Sequence, residues 1–245
     1  MPDRASDIPP GISADQLDPE ARAELRTLPA DLAEAVGRRL VAASLEEDPV
    51  RAYQYAQSAR RLAARVGVVR ETCGIAAYHA GEWADALTEL RAARRLTGKQ
   101  GYLPMMADCE RALGRPDRAL DLVTGPEARA VDRATALELR IVESGIRRDQ
   151  GLPEAAVAVL QVPELTATPP RQEAARLFYA YADALLDAGR EDEARGWFAA
   201  AAAADVDGVT DAAERFEELD PVEFDDLADT DVDDLEAEDQ PTGHR

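Results

Sequence analysis

The chain has 245 residues, of which 49 are acidic and 28 basic, and its formal net charge is −21. This charge argues against a nucleic-acid ligand, because phosphates and carboxylates repel one another. Cys73 and Cys109 lack the spacing of a metal or redox pair, which favours a reducing compartment. No run approaches the ~18 apolar residues of a membrane span, and the N-terminus lacks the apolar core of a signal peptide. We expect a cytoplasmic protein without a metal or other cofactor.

The N-terminal part of the chain predicts a short leader and one capping helix. Residues 1–13 contain proline and glycine and are expected to be disordered. Asp18 and Pro19 predict a helix start, because aspartate is a favoured cap and proline fits the first helical position. This helix should run through Leu28 and end before Pro29.

A unit of helix, tight turn and second helix then recurs along the chain. The first residues of successive turns are 34, 33, 37 and 38 positions apart. The turns begin at Glu47, Gly81, Gly114, Gly151 and Gly189, and the alanines that open the second helices are Ala52, Ala86, Ala119, Ala156 and Ala194. The predicted helix pairs cover about residues 30–64, 68–96, 103–123, 132–161 and 170–204. Gly74, without a side chain, should let two helices meet closely, and Ser144 and Gly145 are the small residues of the fourth pair.

The end of the chain predicts a covering helix and an acidic tail. A helix over residues 210–219, capped by Thr210, should place Ala213, Phe216 and the stem of Glu217 over the open end of the array. Residues 217–239 hold 13 acidic side chains and no basic one. So dense a run of like charge is typical of disorder. We therefore predict a helical domain over residues 14–219 and a disordered tail over residues 220–245.

The repeated unit resembles the tetratricopeptide repeat (TPR), in which an aromatic and a small residue precede a turn glycine and a second-helix alanine. The second unit matches through Gly74, Tyr78, Gly81, Trp83, Ala86, Leu90 and Ala93. The fifth matches through Phe178, Tyr181, Ala182, Leu185, Gly189, Ala194, Phe198 and Ala201. The resemblance implies an all-α, right-handed superhelical α-solenoid of about five helix hairpins with capping helices. The proline that often closes each unit is missing, and the longer spacings imply longer connections.

The resemblance also implies a function, that of a non-enzymatic scaffold or adaptor that binds a protein or peptide partner in a concave groove. The first helices would line this groove. Its predicted contact residues are Glu71, Tyr78, His79, Asp108, Arg111, Arg148, Tyr179 and Asp183, with Ile75 beside them. Capture of a partner's C-terminal carboxylate is disfavoured, because the chain has no asparagine and its only lysine, Lys99, follows a second helix. The oligomeric state stays open.

Several charged residues fall on the predicted packing side of the first helices, where isolated charges are not tolerated. They are Arg70, Glu110, Arg140, Glu143 and Arg147. Three interpretations stay open: a structural ion-pair cluster between neighbouring hairpins, a polar binding centre in the groove, or a misplaced register.

A second hypothesis makes the chain a regulator whose acidic tail mimics nucleic acid or occupies a basic surface, including the chain's own. The basic residues considered are Arg60, Arg61, Arg91, Arg94, Arg95 and Lys99. An enzyme is not expected. The two histidines are His79, next to a turn, and His244, in the tail, and no nucleophile, phosphate-loop or metal pattern accompanies them.

Overall fold

The computed structural model describes residues 8–167 and 174–219, and within these ranges it contains twelve α-helices and no β-strand. The predicted tail, His244, Pro170 and most of the predicted leader lie outside the described residues. The helices are α1 (Pro19–Leu25), α2 (Ala30–Leu45), α3 (Pro49–Ala63), α4 (Gly67–His79), α5 (Trp83–Thr97), α6 (Leu103–Ala112), α7 (Pro116–Thr124), α8 (Arg133–Asp149), α9 (Pro153–Leu160), α10 (Ala174–Asp187), α11 (Glu191–Ala204) and α12 (Ala212–Glu218). The all-helical class is therefore confirmed.

Helix α1 begins as predicted and ends earlier. The Asp18 carboxylate accepts a hydrogen bond from the Ala21 amide at 2.8 Å, and Pro19 opens the helix. After Leu25 the amides of the next residues bond to carbonyls only three positions back, Thr27 to Glu24 among them. The predicted extension to Leu28 is wrong, because this tighter turn replaces the last helical turn.

The helices pack mainly against their neighbours in the chain, as five pairs from α2/α3 to α10/α11. Four of the five pairs are joined at a glycine in the left-handed conformation. These glycines are Gly81, Gly114, Gly151 and Gly189, with φ from +70° to +74°. In the first of them, Gly81 N–H donates to Tyr78 O at 3.0 Å and Glu82 N–H donates to Ala77 O at 2.9 Å. This Schellman motif satisfies the last carbonyls of the helix.

The α2/α3 turn has no glycine and uses a different geometry. Glu46 ends α2 in an extended conformation, with φ −80° and ψ 126°. The Asp48 carboxylate then accepts a hydrogen bond from the Val50 amide at 3.0 Å, and Pro49 opens α3. A side-chain cap thus begins the second helix where the other pairs use a left-handed glycine to end the first.

The close approach predicted at Gly74 is present. An added Cβ there would lie 2.7 Å from Leu90 Cδ2 and 3.1 Å from Leu90 N. The residue seven positions before each later turn glycine is also small and buried. These residues are Ala107, Ser144 and Ala182. Ser144 also donates its hydroxyl to Ala156 O at 3.2 Å, so the fourth pair closes through a small polar residue.

Buried apolar side chains form four clusters in chain order. One joins α1–α4 around Leu40, one α2–α6 around Leu90, one α6–α8 around Ile146, and one α9–α12 around Phe198. The alanines that open the second helices all lie in the core; their exposed fraction is 7% at Ala52 and 0% at the other four. Burial of each pair against the next is typical of stacked helix pairs.

Helix α12 covers the last apolar cluster in a register different from the prediction. Ala212 is 1% exposed, Phe216 packs on the cluster, and Ala213 and Glu217 face solvent. The predicted Thr210 cap is also wrong, because Asp211 is the residue preceding the helix.

The Thr210 hydroxyl instead donates to Asp205 Oδ2 at 2.6 Å. The Val209 and Thr210 amides donate to the same carboxylate. These hydrogen bonds, that of the Thr210 side chain first, lower the pKa of Asp205.

Among the described residues three carboxylates are buried, and each is held by two arginines. Glu89 is 1% exposed and lies 2.5 Å from Arg60 Nη1 and 2.6 Å from Arg70 Nη1. Glu110 is 0% exposed and pairs with Arg91 at 2.7 Å and Arg115 at 3.3 Å. The first group joins α3, α4 and α5, and the second joins α5 to α6, so both connect neighbouring pairs.

Glu143, the third carboxylate, lies between two arginines of its own helix, Arg140 at 3.4 Å and Arg147 at 3.7 Å. Arg140 is 54% exposed, so its predicted place on the packing side is wrong; its long side chain reaches water. None of the three carboxylates lines either of the cavities described below. The arrangement favours structural ion pairs over a polar binding centre.

Candidate functional site

A cavity lies along the first helices of four successive pairs. It has a volume of about 830 Å³ and is lined by residues of α4, α6, α8 and α10. We call it the main cavity. Its apolar lining consists of Pro104, Met105, Ile141, Val142 and Ala180. Its volume is in the range of ligand sites, but its lining contains more charged side chains than a usual small-molecule site.

Seven of the eight predicted groove residues line the main cavity, namely Tyr78, His79, Asp108, Arg111, Arg148, Tyr179 and Asp183. Glu71 is separate. With Ile75 and Lys99 it lines a cavity of about 390 Å³ beside α1 and α2. Lys99 pairs there with Glu20 at 2.8 Å and Glu71 at 3.9 Å, so the structure does not bring Glu71 together with the other seven.

The main cavity has further charged residues that the sequence analysis missed: Glu138, Asp149, Arg176 and Asp187. Asp149 and Asp187 stand two positions before their turn glycines, as His79 does before Gly81. Applying the position of His79 in the second unit to the later units would have identified both aspartates from the sequence. Glu138 and Arg176 stand thirteen positions before theirs, beyond the part of the unit that the resemblance specified.

One chain of polar contacts joins three helix pairs. The Tyr78 hydroxyl donates to Asp108 Oδ2 at 2.5 Å, and Asp108 Oδ1 accepts from Arg111 Nε at 2.8 Å. Arg111 Nη1 then donates to Asp149 Oδ2 at 2.9 Å. Burial, followed by the Asp108 hydrogen bond, raises the pKa of Tyr78 above its ordinary value. The phenol is therefore a neutral donor at physiological pH.

A second chain of contacts involves the α8 and α10 residues that line the main cavity. Arg148 donates to Asp187 at 2.6 Å and to Asp183 at 3.0 Å. Arg215 of α12 lies 3.1 Å from Asp183 Oδ1 and donates to the Tyr179 hydroxyl at 3.1 Å. The Arg215 guanidinium also lies 4.7 Å from the centre of the Phe198 ring. Helix α12 thus contributes a cation to the side chains of α10 and α11.

Glu138 and Arg176 face each other within the main cavity, with Glu138 Oε2 2.9 Å from Arg176 Nη2. Burial raises the pKa of Glu138, and the Coulomb attraction of Arg176 opposes this without cancelling it. The negative charge of the Glu138 carboxylate is therefore less well stabilised than that of an exposed glutamate. Perturbed groups of this kind concentrate at functional sites, although structural networks produce them too.

An aromatic group borders the α4 end of the main cavity. The Tyr78 ring packs edge-on against His79 at 5.5 Å and against Trp83 at 5.3 Å between ring centres. His79 is exposed and Trp83 is half-buried. Tyrosine and tryptophan offer large contact areas at low entropic cost, which suits recognition of a partner.

Two features of the described residues concern metal and thiol chemistry. No group of three or more His, Cys, Asp or Glu side chains in residues 8–167 and 174–219 has the arrangement of a metal site. Cys73 and Cys109 are buried free thiols, and burial raises the pKa of each to about 12. Such thiols are poor nucleophiles, because the thiolate is the reactive form.

The basic residues of the second hypothesis are largely engaged within the fold. Arg60 and Arg91 hold the buried carboxylates, Arg94 lies 2.6 Å from Glu127, and Lys99 pairs with Glu20. These pairs leave less basic surface for an acidic ligand than the sequence suggests.

No helix in the described part of the chain has both the length and the apolarity to cross a membrane. Comparisons with models of known protein families and with curated protein sequences found no match for this chain.

Proposed function

We propose that this chain is a non-enzymatic scaffold or adaptor of the TPR-like solenoid class, and that it binds a segment of a partner protein in the main cavity. The observation that carries the proposal is the main cavity itself, about 830 Å³ lined by the first helices of four successive pairs. Seven residues selected for recognition from the sequence alone line it. In a TPR-like array this face is the concave groove.

The composition of the main cavity supports a peptide ligand. Apolar side chains such as Met105 and Ile141 line it together with hydrogen-bonding groups such as Tyr78 and Tyr179. A protein segment presents both kinds of group, so it gains from apolar burial and from directional contacts. Its openness along four helices suits an extended or helical segment better than a small compact molecule.

The regulator hypothesis has the tail's charge in its favour and remains a separate proposal. The case for a target within this chain is weakened, because its basic residues Arg60, Arg91, Arg94 and Lys99 are already in ion pairs. A basic surface on another protein is compatible with the scaffold function.

Site-specific photo-cross-linking tests the scaffold proposal. A photoreactive phenylalanine at His79, which is exposed and lines the main cavity, should form a covalent adduct with a partner in native cells. The control carries the photoreactive phenylalanine at Thr88 instead, which is exposed on α5 and lies outside the main cavity. Replacing Tyr78 and Arg111 by alanine should abolish the His79 adduct while the far-UV circular dichroism is unchanged. Equal adducts at His79 and Thr88, or none at His79, would contradict the proposal.

A further inference from the structure

We propose that the partner segment is basic, and that the main cavity selects its arginine or lysine side chains through the carboxylates of α6, α8 and α10. This inference rests on the proposed function, because it names the class of segment bound there.

The first observation is an excess of acid on this face. The main cavity is lined by five carboxylates, Asp108, Glu138, Asp149, Asp183 and Asp187, and by three arginines, Arg111, Arg148 and Arg176. Its lining therefore carries a net charge of −2. The neighbouring smaller cavity has four carboxylates and Lys99, a net of −3. Both have the sign that attracts a basic segment.

The second observation is that the chain already binds one of its own arginines at the end of the main cavity. Arg215 comes from α12, yet its guanidinium contacts the Asp183 carboxylate, the Tyr179 hydroxyl and the Phe198 ring. An anion, a neutral acceptor and an aromatic face are the three kinds of group that hold guanidinium. This contact shows how the face accommodates an arginine.

The third observation is the state of Glu138. Its side chain is 29% exposed and lines the main cavity, as do Ile141 and Arg176. One arginine at 2.9 Å is its cation within the fold. A second cation, brought by a partner, would lower the electrostatic cost of keeping this carboxylate charged in a half-buried position.

The acidic tail is the other candidate occupant, and its charge argues against it. Residues 220–245 contain 11 acidic residues and one basic residue, Arg245. A segment of that sign would be repelled by a lining with a net charge of −2. The tail and the main cavity instead attract ligands of the same, positive sign.

Fluorescence anisotropy with the full chain tests the inference. The probe is a fluorescein-labelled peptide of alternating arginine and leucine, and the two reference peptides have glutamine or glutamate in place of each arginine. The arginine probe should bind about tenfold more tightly than the glutamine peptide at 0.1 M salt. The glutamate peptide should bind most weakly.

Two variants of opposite charge change separate electrostatics from structural damage. E138Q should weaken binding of the arginine probe about threefold to tenfold, and R176Q should strengthen it about threefold, since it leaves Glu138 unpaired. E47Q, at an exposed turn away from the main cavity, should change binding less than about twofold. The tail is identical in the parent chain and the three variants, so its attraction for the probe cancels in these comparisons. Damage to the fold would weaken binding in E138Q and R176Q alike.

The inference is overturned if the glutamine or glutamate peptide binds as tightly as the arginine probe, or if E138Q and R176Q shift the affinity in the same direction. The cross-linking experiment at His79 distinguishes failure of the basic-segment inference from failure of the scaffold proposal. An adduct with an acidic or uncharged segment would overturn the basic-segment inference and leave the scaffold function intact. The absence of any adduct would overturn the scaffold function itself.

Discussion

Replacement of Gly74 by alanine should destabilise the protein, although alanine is the better helix former. In an exposed helix interior this substitution gains about 1 kcal/mol. At Gly74 the new Cβ would lie 2.7 Å from Leu90 Cδ2 and 3.1 Å from Leu90 N. Leu90 is 0% exposed and lies in a packed cluster, so neither its side chain nor its backbone can move away freely.

Such overpacking costs about 1–3 kcal/mol, which exceeds the gain in helix propensity. We expect a net loss of about 1 kcal/mol, or a fall of about 2–4 °C in Tm for a chain of this size.

Gly196 provides the matched control for Gly74. It lies within α11, and an added Cβ would meet nothing within 4 Å. G196A should therefore raise the free energy of unfolding by about 1 kcal/mol, and the two variants should differ by about 2 kcal/mol. Thermal and urea unfolding followed by circular dichroism at 222 nm measures the difference. A G74A protein as stable as the parent would refute the close packing of α4 on α5.

Three further predictions concern buried ionisable groups. Replacing Arg70 by alanine leaves Glu89 buried with Arg60 as its single arginine, and should lower the free energy of unfolding by about 2 kcal/mol in urea titrations; an unchanged midpoint would contradict this. Cys73 and Cys109 should resist a thiol reagent at pH 8 in the folded protein and react fully in denaturant. Both thiols have a pKa of about 12 in the fold, raised by burial from an ordinary 9.0. As pH rises, the unfolded chain therefore loses these protons before the folded one does. The free energy of unfolding should decline as pH rises above about 9. An unchanged free energy of unfolding from about pH 8 to 10.5 would contradict the buried placement.

The repeat predicts the local structure well because its signals are local. A left-handed glycine at Gly81 or Gly151 ends a helix through local backbone geometry, and a close approach of two helices admits only a small residue such as Ala86. Helix bounds follow from these positions. The register of α12 was not predictable in the same way, because the Asp205 carboxylate, five residues before Thr210, organises the loop that precedes the helix.

The burial of Glu89 was not revealed by the sequence pattern, whereas Glu110 and Glu143 are buried, as their register predicted. Glu89 lies on a second helix, where charged residues are usually solvated, and it was not predicted to be buried. Its partners, Arg60 and Arg70, are 29 and 19 positions away. Whether such a carboxylate is tolerated in the core depends on these distant partners and on the stacking that brings them together. The same limit applies to Glu138 and Arg176, which approach each other across two helix pairs.

The distribution of charge connects the two function hypotheses, which the sequence alone presents as alternatives. The lining of the main cavity has a net charge of −2, and residues 220–245 add 11 acidic residues against one basic residue. Because both regions have the same sign, they repel each other and attract the same class of partner. Interactions between solvent-exposed charges are screened beyond about 8–10 Å in physiological salt, whereas those of half-buried carboxylates in a cavity are screened less. Attraction of a basic partner by residues 220–245 and its selective binding in the main cavity are therefore compatible parts of the proposed adaptor function.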